Sequence, residues 1–260
     1  MVNENKQPFE LAVDKFLEQW GHKKDIVGAI ICGSYVTGNP TKHSDIDLQI
    51  LLDKKVKWRE RGNKIVDGFL IEYFANPLPQ NLKYYENDFK KNRKTNIHMF
   101  ITGRVIIDKN GDAEKLIKKA NELNKKKFLK PAKAIIESDK YHLWDMQDNL
   151  EEVYDSDAEE FYFVYYDFLK TIFESYSKFL GFEIIFANKI KRFLVNEKDK
   201  KKYNISEFPD QNFVDMYINA INLKSKQEMM QKYKQITSHV LSKMGGFNID
   251  GWSLKTPIEK

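Results

Sequence analysis

The chain has 260 residues, of which 42% are hydrophobic and 31% are charged, and its formal net charge is +5 at pH 7. Disordered chains have fewer apolar residues and membrane-spanning proteins have fewer charges, so a soluble globular protein is expected. The sequence contains no apolar run long enough to cross a membrane, and its first ten residues lack the apolar block of a signal peptide. We therefore expect a cytoplasmic location. The single cysteine, Cys32, excludes an internal disulfide and a cysteine-based zinc site, so oxygen ligands must hold any metal.

The first half of the chain alternates between helical and strand patterns. Apolar residues at three- and four-residue steps predict a helix over 9–20, before Gly21. Short apolar or alternating runs predict strands over 26–32, 45–52, 68–74 and 97–107. Strands and helices mixed at these intervals predict an α+β fold, with a mixed sheet in the N-terminal domain.

The second half of the chain lacks strand signals. Helical periodicity covers 113–123, a segment from Pro131 to Val153, and 161–179, after which Gly181 is expected to end the helix. The turn at 108–112 therefore predicts two domains, a catalytic domain over 1–111 and an all-helical bundle over 112–260 that binds the substrate. The charged stretch 196–211 is predicted to be a linker.

Two aspartates, separated by one residue, lie at the start of the second predicted strand. Asp45 and Asp47 point to the same face of that strand, with Cα atoms about 6.6 Å apart. Carboxylates at this spacing repel each other unless a cation lies between them, and hard oxygen ligands favour magnesium. Gly33 permits a backbone bend before them, and Ser34 with neighbouring amides is suited to bind the phosphates of a nucleotide.

The order of these residues resembles the nucleotidyltransferase superfamily that includes DNA polymerase β. Its signature is Gly-Ser, a spacer of about ten residues, and Asp-x-Asp, which Gly33-Ser34 and Ser44-Asp45-Ile46-Asp47-Leu48 match. A third carboxylate on a neighbouring strand belongs to the same pattern, and Glu72 fits it by type and order. A short catalytic domain followed by helices also resembles the bacterial antibiotic nucleotidyltransferases, which adenylylate aminoglycosides or lincosamides.

The resemblance implies a magnesium-dependent transfer of a nucleoside monophosphate, AMP from ATP, to a hydroxyl group with release of pyrophosphate. It implies that Asp45 and Asp47 bridge two Mg²⁺ ions and that Glu72 holds one ion or takes the proton of the attacking hydroxyl. Glu151 or Glu152 of the helical domain is an alternative base. The residues predicted to bind the nucleotide are Gly33, Ser34, Ser44, Arg104, Lys191 and Arg192.

An acidic segment over 137–167 interrupts this basic chain, because eleven Asp and Glu residues are opposed there by Lys140 alone. It is either a solvated helix face or an acidic wall near the catalytic carboxylates. A wall would attract a polycationic acceptor such as an aminoglycoside and repel nucleic acid.

Two other functions stay open from the sequence. Its lysine content is compatible with a nucleic-acid-directed nucleotidyltransferase, although no nucleic-acid-binding module is recognisable. The same fold also occurs without turnover, as a nucleotide-sensing or antitoxin-like binding module. No membrane partner is expected, and the sequence specifies neither the acceptor nor the oligomeric state.

Overall fold

The computed structural model describes residues 6–258, so the first five residues of the polar N-terminal stretch lie outside it. The chain divides into two units. The first extends to Lys126 and includes Lys201–Asn204, and the second contains Lys127–Lys200 and the chain from Ile205 onward. The first unit therefore runs past residue 111, the predicted domain boundary.

The first unit is built on a five-stranded mixed sheet, with strands in the order β3-β4-β2-β1-β5. β2 and β4 pair in parallel, whereas the other neighbours are antiparallel. This sheet, followed by helices, confirms the predicted α+β class. The strands are β1 (Ile26–Cys32), β2 (Ile46–Leu52), β3 (Glu60–Val66), β4 (Phe69–Pro77) and β5 (Arg104–Asp108).

Helices cover both faces of this sheet. Phe16 and Leu17 of α1 belong to one core cluster with Leu48 and Ile50 of β2, while Leu51 packs in a second cluster on the other face. Burial of each such side chain contributes about 1.5–3 kcal/mol, which fixes β2 as the central strand. The helices of this unit are α1 (Pro8–Gln19), the four-residue α2 (Ser34–Thr37), α3 (Leu78–Lys90), α4 (Thr95–Thr102) and α5 (Asp112–Asn124).

The prediction of one strand over 97–107 was wrong for its first half. This segment begins in α4, where Ile97 and Phe100 lie one helical turn apart and are both buried. Its apolar run is compatible with both the helical and the strand periodicity, so the pattern alone does not distinguish a helix from a strand. Gly103 ends the helix and lets β5 approach β1, because a Cβ there would lie 2.7 Å from Ile30 Cγ2.

The hairpin of β3 and β4 was predicted only in part. Asp67 and Gly68 form its two-residue turn, with φ angles of +48° and +84°. An Asp-Gly pair between two strands is a strong hairpin signal, but β3 is largely exposed and lacks the apolar alternation that marks a strand. β4 also extends to Pro77, beyond the predicted end at Phe74.

The second unit contains helices and loops, with no strand among its described residues. Gly181, with a φ of +68°, ends α7 as predicted. The predicted linker 196–211 was wrong, since it contains a helix, and Pro131 precedes α6 by two residues instead of lying in its first turn. The helices are α6 (Lys133–Asp155), α7 (Phe161–Leu180), α8 (Ile190–Val195), α9 (Glu197–Tyr203), α10 (Gln211–Ala220) and α11 (Lys226–Lys243), with α9 ending in the first unit.

Asp210 joins three helices of the second unit through one carboxylate. Its Oδ1 accepts a hydrogen bond from Phe213 N at the start of α10, at 3.1 Å. Its Oδ2 accepts one from Tyr176 Oη of α7, at 2.6 Å, and lies 2.7 Å from His239 Nε2 of α11. Burial opposes ionisation, but the bonds to Tyr176 and His239 prevail and lower the pKa of Asp210 below its ordinary value.

We expect Asp210→Ala to lower the free energy of unfolding at pH 7 by about 2–4 kcal/mol, from the lost helix cap and charge-assisted hydrogen bonds. Because the folded-state pKa is depressed, this stabilisation is fully present above the unfolded pKa of about 3.9 and is lost as pH falls through the folded pKa. Urea unfolding at pH 7 and pH 3 measures both effects. Asp210→Asn keeps the cap and loses the charge, so a variant Asp210→Asn as stable as the unchanged protein would contradict the charge contribution.

Among residues 6–258, no helix is long and apolar enough to cross a membrane.

Candidate active site

Three carboxylates of the first unit meet near the start of β2. Asp45 lies directly before β2, Asp47 is the second residue of β2, and Glu72 is opposite Asp47 in the parallel register of β4. One oxygen from each carboxylate lies within 4.8 Å of the others, and all three residues are partly exposed. The predicted meeting of Glu72 with the aspartate pair is therefore present in the fold.

Gly33 provides the space in which Asp47 lies. Its φ of +75° and ψ of −155° define a backbone region that is essentially restricted to glycine. A Cβ on Gly33 would lie 1.9 Å from Asp47 Oδ2, much closer than any real contact. The Gly33 backbone and the Asp47 carboxylate therefore form one packed unit, in which a larger residue would displace the carboxylate.

Arg61 of β3 contacts Glu72 of this carboxylate cluster. Its Nη2 donates a hydrogen bond to Glu72 Oε1 at 2.6 Å, and its guanidinium carbon lies 4.8 Å from the centre of the Phe74 ring. The hydrogen bond and charge of Glu72 raise the pKa of Arg61, which remains protonated. Sequence reasoning missed Arg61, because β3 was not predicted; the Asp67-Gly68 turn was the signal that would have placed it.

Cys32 lies opposite Asp47 on the adjoining strand, but its thiol is buried. Burial, with a smaller contribution from the charge of Asp47, raises the pKa of the thiol far above its ordinary value. The thiol is therefore protonated and unreactive at neutral pH, in agreement with the prediction of a small buried residue.

The two predicted serines have different surroundings. Ser34 is the first residue of α2, directly after Gly33, and is partly exposed beside the carboxylates. Ser44 Oγ accepts a hydrogen bond from Thr41 N at 2.8 Å and thereby closes the turn that leads to Asp45. Ser44 positions the aspartate pair through the backbone, while its predicted contact with nucleotide stays a prediction.

Each of the three predicted cations has a polar partner within its own unit. Arg104 is paired in register with Ile31, on the sheet face that α1 covers, and its Nη2 lies 2.6 Å from Glu10 Oε1 of α1. The other two belong to the second unit. There Lys191 Nζ lies 3.4 Å from Asn222 Oδ1, and Arg192 donates two hydrogen bonds to Asp199, at 2.6 and 2.8 Å.

A different basic segment lies beside α2 within the first unit. Tyr203 Oη is 2.8 Å from Thr37 Oγ1, and Lys202 Nζ lies 3.7 Å from where a Cβ on Gly38 would be. Thr37 and Gly38 end the short helix that Gly33 begins. Sequence reasoning missed this contact because 201–204 fell inside the predicted linker. Local sequence carries no signal for a pairing between residues 166 positions apart.

Two comparisons with known proteins found similarities. Residues 15–112 match the family model described as "Polymerase beta, Nucleotidyltransferase", so this segment is a domain of the nucleotidyltransferase superfamily. The general activity of that domain is nucleotidyl transfer. A crystal structure of a nucleotidyltransferase-like protein from Exiguobacterium sibiricum is similar over 90% of this chain and 75% of its own, with 9% identity and a TM-score of 0.45. The search of curated proteins found no match.

Proposed function

We propose that the protein is a magnesium-dependent enzyme that transfers a nucleoside monophosphate, AMP from ATP, to a hydroxyl group of a small molecule. The observation that supports it most directly is the close approach of three carboxylate oxygens, within 4.8 Å, beside the Gly33 bend. An all-oxygen donor set of this charge fits hard divalent cations. The matched nucleotidyltransferase domain contains all four residues.

In the proposed reaction the acceptor oxygen forms a bond to the α-phosphorus as the bond from that phosphorus to the pyrophosphate oxygen breaks. The hydroxyl proton leaves with a base, for which Glu72 is our first candidate and Glu151 or Glu152 the alternative. Asp45, Asp47 and Glu72 would hold two Mg²⁺ ions, which when bound supply charge neutralisation at the phosphates and acidify the attacking hydroxyl. The carboxylates themselves orient the acceptor and the leaving group, because the register of β2 and β4 holds Asp47 and Glu72 opposite each other.

We place the triphosphate beside the Gly33-Ser34 turn. This assignment is supported by the Gly-Ser match and by Lys202, whose amino group adds a positive charge near the end of α2. Arg104, Lys191 and Arg192 have carboxylate or amide partners of their own, so Lys202 is the better candidate for a phosphate contact. Within the first unit, Tyr203 holds this segment against α2.

A polycationic, aminoglycoside-like acceptor stays a proposal that depends on the acidic segment. Four of its acids already pair with lysines in the second unit: Glu137 with Lys140, Glu151 with Lys234, Asp157 with Lys226 and Asp167 with Lys170. An antibiotic-resistance role and a cytoplasmic location, where ATP is available, belong to the same proposal.

The experiment is a pyrophosphate-release screen with ATP and GTP, with and without Mg²⁺, across aminoglycosides, lincosamides, sugars of different charge and RNA oligomers. The proposal predicts pyrophosphate release that requires both Mg²⁺ and a small hydroxyl acceptor. Release with RNA alone would instead identify a nucleic-acid-directed transferase. Magnesium-dependent nucleotide binding without turnover on any acceptor would identify a binding module.

Arg61 competes with a cation for Glu72, so we expect Arg61→Gln to bind Mg²⁺ about two- to fivefold more tightly. A change of this size corresponds to the interaction free energy of an exposed ion pair, which is small because solvent screens the guanidinium. Isothermal titration with MgCl₂ in the absence of nucleotide measures the change. Lys64→Gln is the matched control, because Lys64 is three residues away on β3 and pairs in register with Ile71, whose side chain is on the α1 face. Weaker Mg²⁺ binding by Arg61→Gln would contradict competition.

A further inference from the structure

A cavity of about 520 Å³ lies on the same face of the sheet as the carboxylate cluster, and Arg61, which binds Glu72, is one of its lining residues. Its floor is formed by Gln49, two residues beyond Asp47 on β2, and Phe74, two residues beyond Glu72 on β4. Side chains two apart on a strand share a face, so floor and carboxylates are continuous. Helices α3 and α4 provide the walls.

The cavity extends away from the Gly33-Ser34 turn. The sheet order places β4 and β3 on one side of β2 and β1, which leads into Gly33, on the other. A triphosphate beside Gly33 would leave the β4 side of the aspartate pair for the acceptor. This assignment rests on the proposed function.

The floor of the cavity contains two buried amides. Gln49 is 5% exposed and Asn76 is 3% exposed. Gln49 Nε2 donates to Met99 Sδ at 3.3 Å, a weak acceptor, and Asn76 Oδ1 accepts from Tyr84 Oη at 3.3 Å. Amides buried beside a cavity suit a ligand that brings strong donors and acceptors of its own.

Two arginines give this cavity its charge. Arg59 Nη1 donates to Tyr84 Oη at 2.8 Å, and Arg61 lies over Phe74 while it binds Glu72. Among the described residues that line the cavity, Glu60 is the one carboxylate. Glu60 accepts a hydrogen bond from the hydroxyl of Tyr73, whose ring packs in the core on the α1 side of the sheet. The lining therefore has a net positive charge, carried by guanidinium groups that bind carboxylates and phosphates in a bidentate manner.

We infer that this cavity is the acceptor site, and that the acceptor is a small hydroxyl compound with a carboxylate or phosphate group. Arg59 and Arg61 bind the anionic group, Gln49 and Asn76 bind polar substituents, and the reacting hydroxyl lies toward Glu72. A cavity of this size holds a single small molecule rather than a polynucleotide. This anionic acceptor is opposite in charge to the polycationic acceptor suggested by the acidic segment, so one experiment distinguishes the two acceptors.

The test uses four sugars that share a ring and differ in charge: glucose, glucosamine, glucuronate and glucose 6-phosphate. Ligand-observed NMR with the full chain, Mg²⁺ and a non-hydrolysable ATP analogue measures their binding. Glucuronate, glucose 6-phosphate or both should bind at least about tenfold more tightly than glucose, as charge-assisted hydrogen bonds require. The better of the two anions identifies the carboxylate or the phosphate as the recognised group. Binding of glucosamine equal to or tighter than that of both anions, or displacement of the sugars by single-stranded RNA, would overturn the inference.

Arg59→Gln should reduce the anion preference about tenfold, and Tyr84→Phe, which releases the Arg59 guanidinium, should reduce it less. Lys64→Gln removes one positive charge from β3, the strand that directly follows Arg59, and should leave the preference unchanged. Equal loss in Lys64→Gln and Arg59→Gln would show a general charge effect and overturn the site.

Binding and turnover separate the two proposals. An anion preference without pyrophosphate release on any acceptor would refute the proposed transfer and keep the cavity as an anion site. Transfer to aminoglycosides without an anion preference would support the proposed transfer and refute the acceptor site.

Discussion

Asp47→Asn is expected to reduce acceptor-dependent pyrophosphate release by roughly a thousandfold while the protein stays folded. The amide keeps the shape of the carboxylate beside Gly33 but removes one of the three negative charges whose oxygens lie within 4.8 Å of one another. Removal of a like charge from such a cluster also relieves repulsion, so the thermal unfolding midpoint should not fall. The measurements are initial rates at saturating Mg²⁺ and thermal unfolding of the same preparation.

Asp53→Asn is the control for this variant. Asp53 directly follows β2 at the end opposite Asp47, and its Oδ1 accepts a hydrogen bond from Lys55 N at 2.8 Å, which the Asn side chain can keep. We expect its rate to stay within about twofold of the unchanged protein, as for surface substitutions generally. Full activity in Asp47→Asn would remove the aspartate pair from the mechanism. Activity lost together with the unfolding midpoint would show a structural role instead.

The part of the fold that sequence could predict is the part in which local patterns and burial agree. α1 and β1 have unambiguous apolar patterns, and α7 ends at Gly181 as expected. α4 was missed because its apolar run also satisfies a strand, and β3 because an exposed edge strand needs no apolar alternation. Both errors concern elements whose structure depends on their neighbours.

The same distinction applies to the candidate site. Asp45, Asp47 and Gly33 are close in sequence, so strand geometry and glycine chemistry were enough to place them. The proximity of Glu72 depends on the parallel pairing of β2 and β4, which came from the family pattern rather than from local sequence. Arg61 reaches Glu72 through the β3–β4 hairpin, whose Asp-Gly turn is a local signal, whereas Lys202 contacts this region through a long-range pairing that no local pattern encodes.

Gly33→Ala is expected to abolish most activity and to destabilise the protein at the same time. Alanine at the φ and ψ of Gly33 costs about 1–3 kcal/mol in backbone strain. Its methyl group would also lie 1.9 Å from Asp47 Oδ2, so the carboxylate must move away from Asp45 and Glu72. A displacement of about 1 Å in a catalytic group can lower the rate a hundredfold, and we expect at least that loss in kcat/KM. Initial rates and urea unfolding measure the two effects.

Gly68→Ala is the control that separates the Gly33–Asp47 contact from the effect of backbone strain. Gly68 has a φ of +84° in the β3–β4 turn, and a Cβ there meets no atom within 4 Å. This variant should lose about 1–2 kcal/mol of stability from its own left-handed strain and keep its activity, because nothing in the site moves. If the two variants lose the same activity, strain in the sheet explains both and the Gly33 contact has no special role. If Gly33→Ala alone loses activity, and Mg²⁺ affinity falls with it, the glycine is required because it leaves space for the Asp47 carboxylate.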